Sequence, residues 1–306
     1  MHVNHRHQNY KENRKGHAMK IVLMSDLHLL NRKPDKRSDD ILESQWEKLE
    51  YIFKYCADHD GVLLQAGDMF DKPRDWNVLD RFISLAQTYY PIKIYSIYGQ
   101  HDMYQRNTGV VCNMSLLESL GFVEILNQNH IHINRINLFG CSFGDKPENK
   151  EGILVIHAPI TCASLYPGME YNDAKAFLKK YNKYQLILCG DIHVPFIQSI
   201  KDRHIVNTGC MIRKTIKDDF DPRFYVYDTK EKIIETVYIP CKPFDEVFQS
   251  KIDNETKAIL EDFIKEITAY ENTGTDILKN IHSFIDKNNL SEDVKTIIYQ
   301  VMTEGN

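Results

Sequence analysis

The chain has 306 residues, carries 38 Lys plus Arg against 43 Asp plus Glu for a net charge of −5, and is 42% hydrophobic. That composition can bury a sizeable core and excludes wholesale disorder, and the lack of any run of about 18 apolar residues excludes a membrane-spanning helix. The acidic balance excludes nucleic-acid binding by a bulk positive field, so any such contact must come from a local site.

Residues 1–18 hold Arg6, Lys11, Arg14 and Lys15 against Glu12, so without them the net charge falls to −8. This segment lacks the apolar stretch of a secretory signal, and its histidines are irregularly spaced. It reads as a disordered leader, with Met19 the expected functional start. KIVLMS at 20–25 is a short apolar run ending on polar residues, the pattern of a buried strand. From Ser38 to His59 apolar residues recur at helical spacing, with Ser38 or Asp39 as the expected N-cap. GVLLQAG at 61–67 is a second strand, 77–88 a second helix, and PIKIYSIYG at 91–99 a third strand. The alternation indicates an α/β architecture with its site at the carboxyl ends of the strands.

Further on, β-like runs fall at 122–126, 130–133, 136–140, 153–156, 185–189, 197–200, 204–207, 223–228 and 232–239, interrupted by one helix near 171–181. They predict a second sheet facing the first. After Pro240 and Pro243 the character changes, and 254–303 reads as two or three amphipathic helices. The expected division is a leader at 1–18, a main domain at 19–243 and a helical segment at 244–306. The seven cysteines form no CxxC, and most lie in apolar runs, which predicts reduced, buried thiols in a cytoplasmic compartment.

Reactive residue types gather just past the strands. The first strand leads to Asp26 and His28, the second to Asp68 and Asp71, and the third to Gln100, His101 and Asp102. ILVIHAP ends on His157, and LILCGDIH carries Asp191 and His193. A strand-end histidine taken singly is more often a satisfied core residue, and Gly-Asp is usually a turn. Five such ends in one context are another matter: converging Asp, His and amide groups form a mixed N/O set suited to Mn²⁺, Fe or Zn²⁺. Two ions about 3.5–4 Å apart, sharing a carboxylate, would clamp a phosphate and activate water.

Asp-x-His, Gly-Asp, a Gly-x-His-Asp box, an isolated His and Gly-x-x-His, in this order over residues 19–240, resemble the calcineurin-like metallophosphoesterases. GDMFD, IHAPI, GDIHVPF, IVNTGCMIRKT and DPRFYVYD look most like the nuclease subunit of SbcCD-type DNA repair and recombination exonucleases. The resemblance implies a four-layer α/β sandwich of two facing mixed sheets flanked by helices. It implies two divalent metal ions, Mn²⁺ before Mg²⁺, Fe or Zn²⁺. Asp26, His28 and His193 would hold the first ion, Asp68 would bridge, and Gln100, His157 and Asp191 would serve the second. His101 would face the substrate, with Asp102 orienting its ring. Two positions depart from the family pattern: Gln100 stands where Asn is usual, and Asp191 where the first His of Gly-His-x-His is usual. Both fall on the second metal site, and an altered metal preference is expected.

The expected activity is metal-dependent hydrolysis of DNA, as an exonuclease or endonuclease. The alternatives are a phosphatase or nucleotide phosphodiesterase acting on a non-DNA substrate, and a catalytically weakened scaffold. Arg32, Lys33, Lys36, Arg37, Arg106, Arg213 and Lys214 leave ligand-bearing regions and are the expected phosphate contacts. Tyr104 is a candidate for stacking on a base, whereas Tyr98 fits core packing better. The resemblance also implies DNA and an SbcC-like coiled-coil ATPase docked on the C-terminal helices as partners; a second copy of the chain is a further expected partner, and cysteine usage and hydropathy add a cytoplasmic location with no membrane.

Overall fold

The structure is a computed structural model and describes residues 19–248, apart from 35–36, 167 and 216–217. The expected leader, Lys36 and the C-terminal helices at 254–303 lie outside the described residues.

The first sheet is built mainly by the N-terminal half. Strand β1 (Lys20–Met24) leads through helix α1 (Ile41–Asp58) to β2 (Val62–Gln65), and α2 (Trp76–Thr88) leads to β3 (Lys93–Ser96). Helix α3 (Asn113–Ser119) then precedes β4 (Val123–Ile125). The second sheet starts with β5 (Ile131–Ile133), β6 (Ile136–Cys141) and β7 (Gly152–His157). The short pair β8 (Ile160–Thr161) and β9 (Asn172–Asp173), helix α4 (Ala174–Lys180), and β10 (Tyr184–Gly190) follow. Strands β11 (Phe196–Ile200) and β12 (Arg203–Asn207) complete that sheet. Strands β13 (Arg223–Asp228) and β14 (Ile233–Tyr238) return to the first sheet, and a single turn, α5 (Phe244–Val247), closes the described chain.

Among the described residues, two six-stranded mixed sheets run in the orders β14-β13-β1-β2-β3-β4 and β11-β12-β10-β7-β6-β5. Successive side chains on a strand point to opposite faces, and the core divides accordingly. Ile21 and Leu23 of β1, with Leu64, Val155, Leu188 and Val206, fill the space between the sheets. Val22 and Met24, with Leu63 and Ile94, turn outward onto Phe53 of α1 and Phe82 of α2. On the far side Leu154, Ile156 and Ile187 pack on Phe177 and Leu178 of α4. This is the four-layer α/β/β/α sandwich expected from the sequence.

Helix α1 starts two residues after Asp39, and its N-cap is neither Ser38 nor Asp39. Asp40 accepts the Glu43 amide at 3.3 Å, because Asp39 is already held by Arg37, whose Nε and Nη2 lie 2.7 and 2.6 Å from its two oxygens. All seven cysteines are free, with only Cys162 and Cys241 exposed.

Register decides where the site forms. In the first sheet Met24, Gln65 and Ser96 lie side by side, so three parallel strands end level and their loops open on one edge. In the second, His157 of β7 pairs with Gly190 of β10, which sets His157 beside Asp191.

Candidate metal centre

The loops that leave these strands turn sharply. Asp26, His28, Asp68 and Asp191 all have positive φ, of 49°, 45°, 52° and 98°. Asp and His tolerate this region better than most residues, and strained positions cluster where side chains must be aimed. Backbone bonds tie the first two loops together: His28 N donates to Asp68 O at 2.9 Å, and Asp26 N to Gly67 O at 3.2 Å. Gln65 spans the Asp68 turn, donating to Gly67 O at 2.6 Å and accepting from Gly67 N at 2.9 Å. The third loop comes so close that a Cβ on Gly99 would overlap the Asp68 carboxylate and amide, so only glycine fits there.

One group of ligand atoms gathers around His28. Its Nε2 lies 3.0 Å from His193 Nε2, 3.7 Å from Asp68 Oδ2 and 4.0 Å from Asp26 Oδ1. Burial, with Lys214 and His193 nearby, holds His28 well below the ordinary histidine range, and burial likewise lowers His193. Two neutral imidazoles facing each other and a carboxylate suit a cation.

A second group surrounds His157. Its Nδ1–H donates to Ala66 O at 2.6 Å, which leaves Nε2 to face the cluster, 3.4 Å from Asp68 Oδ2 and 3.8 Å from Asp191 Oδ1. Gln100 Nε2 donates to Asp191 Oδ1 at 2.9 Å, so the two residues that depart from the family pattern touch each other. The added methylene of Gln lets its amide reach the shorter carboxylate.

These groups fit a pair of cations. Asp68 Oδ2, His157 Nε2 and Gln100 Oε1 are buried without a hydrogen-bond partner of good geometry among the described residues; the first two approach to 3.4 Å, and Gln100 and His157 both flank Asp191 Oδ1. Such orphans are rare in folded proteins and call for an ion or a water. Burial pushes Asp26 up to about 8 against the opposing pull of His157, as expected for a carboxylate whose natural counter-charge is a cation. His157 is raised to about 9, because Asp68 and Asp26 outweigh its burial, whereas the charge of His157 brings Asp68 below the usual carboxylate value despite burial. Asp68 Oδ2 faces both groups, 3.7 Å from His28 Nε2 and 3.4 Å from His157 Nε2, and Asp26 also belongs to both.

His101 lies beside this cluster, its ring edge-on to His28 with centroids 4.9 Å apart, and its backbone N donates to Asp68 Oδ1 at 2.8 Å. The expected role of Asp102 needs correction. Its carboxylate accepts the amides of Met69 (3.3 Å), Phe70 (3.0 Å) and Gly99 (3.0 Å), so it clamps the second loop to the third. The ring of His101 is oriented instead by Asp71 O, 3.0 Å from Nδ1.

The expected phosphate contacts divide. Arg32, Lys33 and Arg106 are exposed, and Arg106 lies 5.8 Å over Phe143, which in turn flanks His157 at 6.2 Å. Lys214 reaches the centre and pairs with Asp71. Arg213 does not belong to the rim: it is buried, donating to Phe220 O (2.7 Å), Lys242 O (3.0 Å) and Asp221 (3.0 Å). Arg37 is likewise buried on Asp39 and Arg213 O. Tyr98 is a core residue, and Tyr104 is exposed with Arg74 stacked 4.2 Å over its ring.

Sequence reasoning missed the contacts of Asp71, Arg74 and the supports Gln65 and Asn207. Asn207 Nδ2 donates to Ile192 O at 2.7 Å and steadies the loop that carries His193. The GDMFD and NTG strings contained Asp71 and Asn207, but nothing local said which contacts they would make.

Residues 19–195 match the family model described as calcineurin-like phosphoesterase. No curated protein matches the chain. Among solved structures, an archaeal phosphodiesterase is 14% identical with TM-score 0.43, the alignment covering 72% of this chain and all of that one. A protein of Thermus thermophilus is 12% identical with TM-score 0.48, covering 73% of this chain and all of that one. A putative 5′-nucleotidase from Staphylococcus aureus is 11% identical with TM-score 0.44, covering 81% of this chain and 58% of that one.

Proposed function

Because the chain belongs to the calcineurin-like phosphoesterase family, a family of hydrolases that use divalent metal ions, we propose that it is a two-metal phosphodiesterase acting on DNA. The observation that carries the reading is the convergence of the partnerless Asp68 Oδ2, His157 Nε2 and Gln100 Oε1 in one buried corner. Asp26, His28 and His193 would hold one ion, and Gln100, His157 and Asp191 the other, with Asp68 shared. Three carboxylates and an amide in the set favour Mn²⁺ or Mg²⁺ over softer ions. Bound there, the ions would supply a nucleophilic water at neutral pH and neutralise charge on the phosphate.

The residues of the chain do the rest. His28 and His193, kept neutral by burial, present lone pairs at no cost in deprotonation. His101 has Nδ1–H committed to Asp71 O, so Nε2 is the atom that faces substrate. In the imidazolium form it would donate a proton to the leaving oxygen. Asp102 keeps the Asp68 and His101 loops in register. Lys214 is poised on Asp71 to meet a phosphate oxygen, and Arg32, Lys33 and Arg106 would contact the strand beyond the scissile bond. The Arg74–Tyr104 pair offers a flat cationic face to a base.

End-labelled duplex and single-stranded DNA, incubated with Mn²⁺, Mg²⁺, Zn²⁺ or EDTA, test the proposal. Cleavage that requires metal and is lost in His101→Ala supports it. Hydrolysis of nucleotides or phosphomonoesters with DNA left intact would move the substrate to the phosphatase class, and inactivity with every metal would leave a scaffold. The ATPase partnership belongs to the same proposal. Its check is co-purification with a coiled-coil ATPase before and after truncation near residue 250, and an unaffected complex would end it.

A further inference from the structure

Away from the metal centre, the first turns of α1 and the 240–247 segment enclose a cavity of about 320 Å³. Four cations line it, and three of them, Arg37, Lys48 and Arg213, are buried, only 6%, 5% and 3% exposed, whereas Lys242 is exposed. Two of them are answered, Arg37 by Asp39 and Arg213 by Asp221 together with two carbonyls. Lys48 has no hydrogen-bond or ion-pair partner among the described residues. Four residues earlier on the same helix, and so on the same face, Ser44 lines the cavity with its Oγ buried and also without a partner. A buried ammonium without an ion-pair partner and a buried hydroxyl without a hydrogen-bond partner are each unfavourable, and both are relieved by one acceptor of negative charge. Burial lowers the Lys48 ammonium to about 8, which leaves most of it charged at neutral pH.

We propose that this cavity is a second ligand site, independent of the metal centre, for a small phosphate-bearing anion whose head is held by Lys48 Nζ and Ser44 Oγ. The helix N-terminus takes no part, since Asp40 already caps it. Arg37 and Arg213 add positive potential, and all three nitrogens of each guanidinium already donate to the protein. Pro240 and Val247 supply an apolar wall, and the volume exceeds that of a bare phosphate, so a phosphorylated small molecule fits best. Exposed Asp40, Glu43 and Glu47 also line the cavity, Glu43 being paired with Arg81, and this negative charge selects against a polynucleotide.

Thermal denaturation of the full chain in EDTA, with inorganic phosphate or a nucleoside 5′-monophosphate as the probe, tests this site. Wild type is expected to show a saturable rise in Tm, larger for the nucleotide. Lys48→Met and Ser44→Ala should weaken apparent affinity at least tenfold, Lys48→Arg should retain it, and Asp68→Asn should not change it. Lys48→Met loses a desolvated charge and should melt no lower than wild type in the absence of anion; Ser44→Ala provides a second, milder variant. No rise in wild type, an equal rise in Lys48→Met and Ser44→Ala, or a rise abolished by Asp68→Asn would overturn the proposal. The last result would put the anion at the metal centre.

Discussion

Replacing Asp102 distinguishes a loop clamp from a catalytic orienter. Its buried carboxylate accepts the Met69, Phe70 and Gly99 amides at 3.3, 3.0 and 3.0 Å. Alanine would strand three buried N–H groups, at about 1–3 kcal/mol each, and partial hydration of the gap brings the expected loss to about 3–6 kcal/mol. Asparagine keeps one acceptor oxygen and sheds a charge that burial and Asp68 already push up to about 7, so its expected cost is about 1–3 kcal/mol. Urea unfolding of wild type and both variants in EDTA, followed by circular dichroism, measures these differences without any contribution from metal. Stability should fall in the order wild type, Asn, Ala, with activity falling in step. Variants that unfold at the wild-type midpoint yet lose activity would refute the clamp and return Asp102 to the service of His101.

Gly99→Ala drives a Cβ onto the Asp68 carboxylate, so Mn²⁺ affinity measured by calorimetry should drop by about 10–100-fold; unchanged binding would contradict the packing described. The neighbours Arg213 and Lys214 should behave in opposite ways. Arg213→Met, which abandons two buried carbonyls, should cost about 2–4 kcal/mol of stability with KM unchanged. Lys214→Met, which removes a half-exposed ion pair, should alter stability by less than about 1 kcal/mol and raise KM for a phosphodiester several-fold. Lys48 has a pH signature: its folded value of about 8 lies below its unfolded value of 10.5, so the unfolded chain binds the extra proton between them. Its penalty, at most about 3 kcal/mol, is therefore full below pH 8 and is relieved as pH rises towards 10.5. The groups facing it are Arg37, Asp39, Arg213 and Cys241. Relative to Lys48→Met, wild type should gain stability over that window, and parallel curves would contradict a desolvated ammonium.

The strands were legible because parallel strands covered on both faces read as nearly continuous apolar runs, as in VLL of β2 and LILC of β10. What escaped was short: α3 has seven residues and no apolar periodicity long enough to read, and β8 and β9 have two residues each. The site was legible because its motifs are local and each sits at a strand end. Its wiring was not, since a residue's partner depends on register. Asp102 adjoins His101 in sequence yet bonds to amides 32 and 33 residues earlier. Arg213 and Lys214 look alike in the sequence, but one faces a buried carbonyl cage and the other the metal centre. The contact between Gln100 and Asp191, 91 residues apart, was equally invisible.

The central claim is that Asp68 joins two ion sites into one centre. Electron paramagnetic resonance of the full chain loaded with Mn²⁺ tests it directly, because two ions about 3.5–4 Å apart across a shared carboxylate are magnetically coupled. Wild type is predicted to show a coupled dinuclear spectrum that Asp68→Asn and His157→Ala abolish. An uncoupled six-line spectrum from fully loaded wild type would contradict the account.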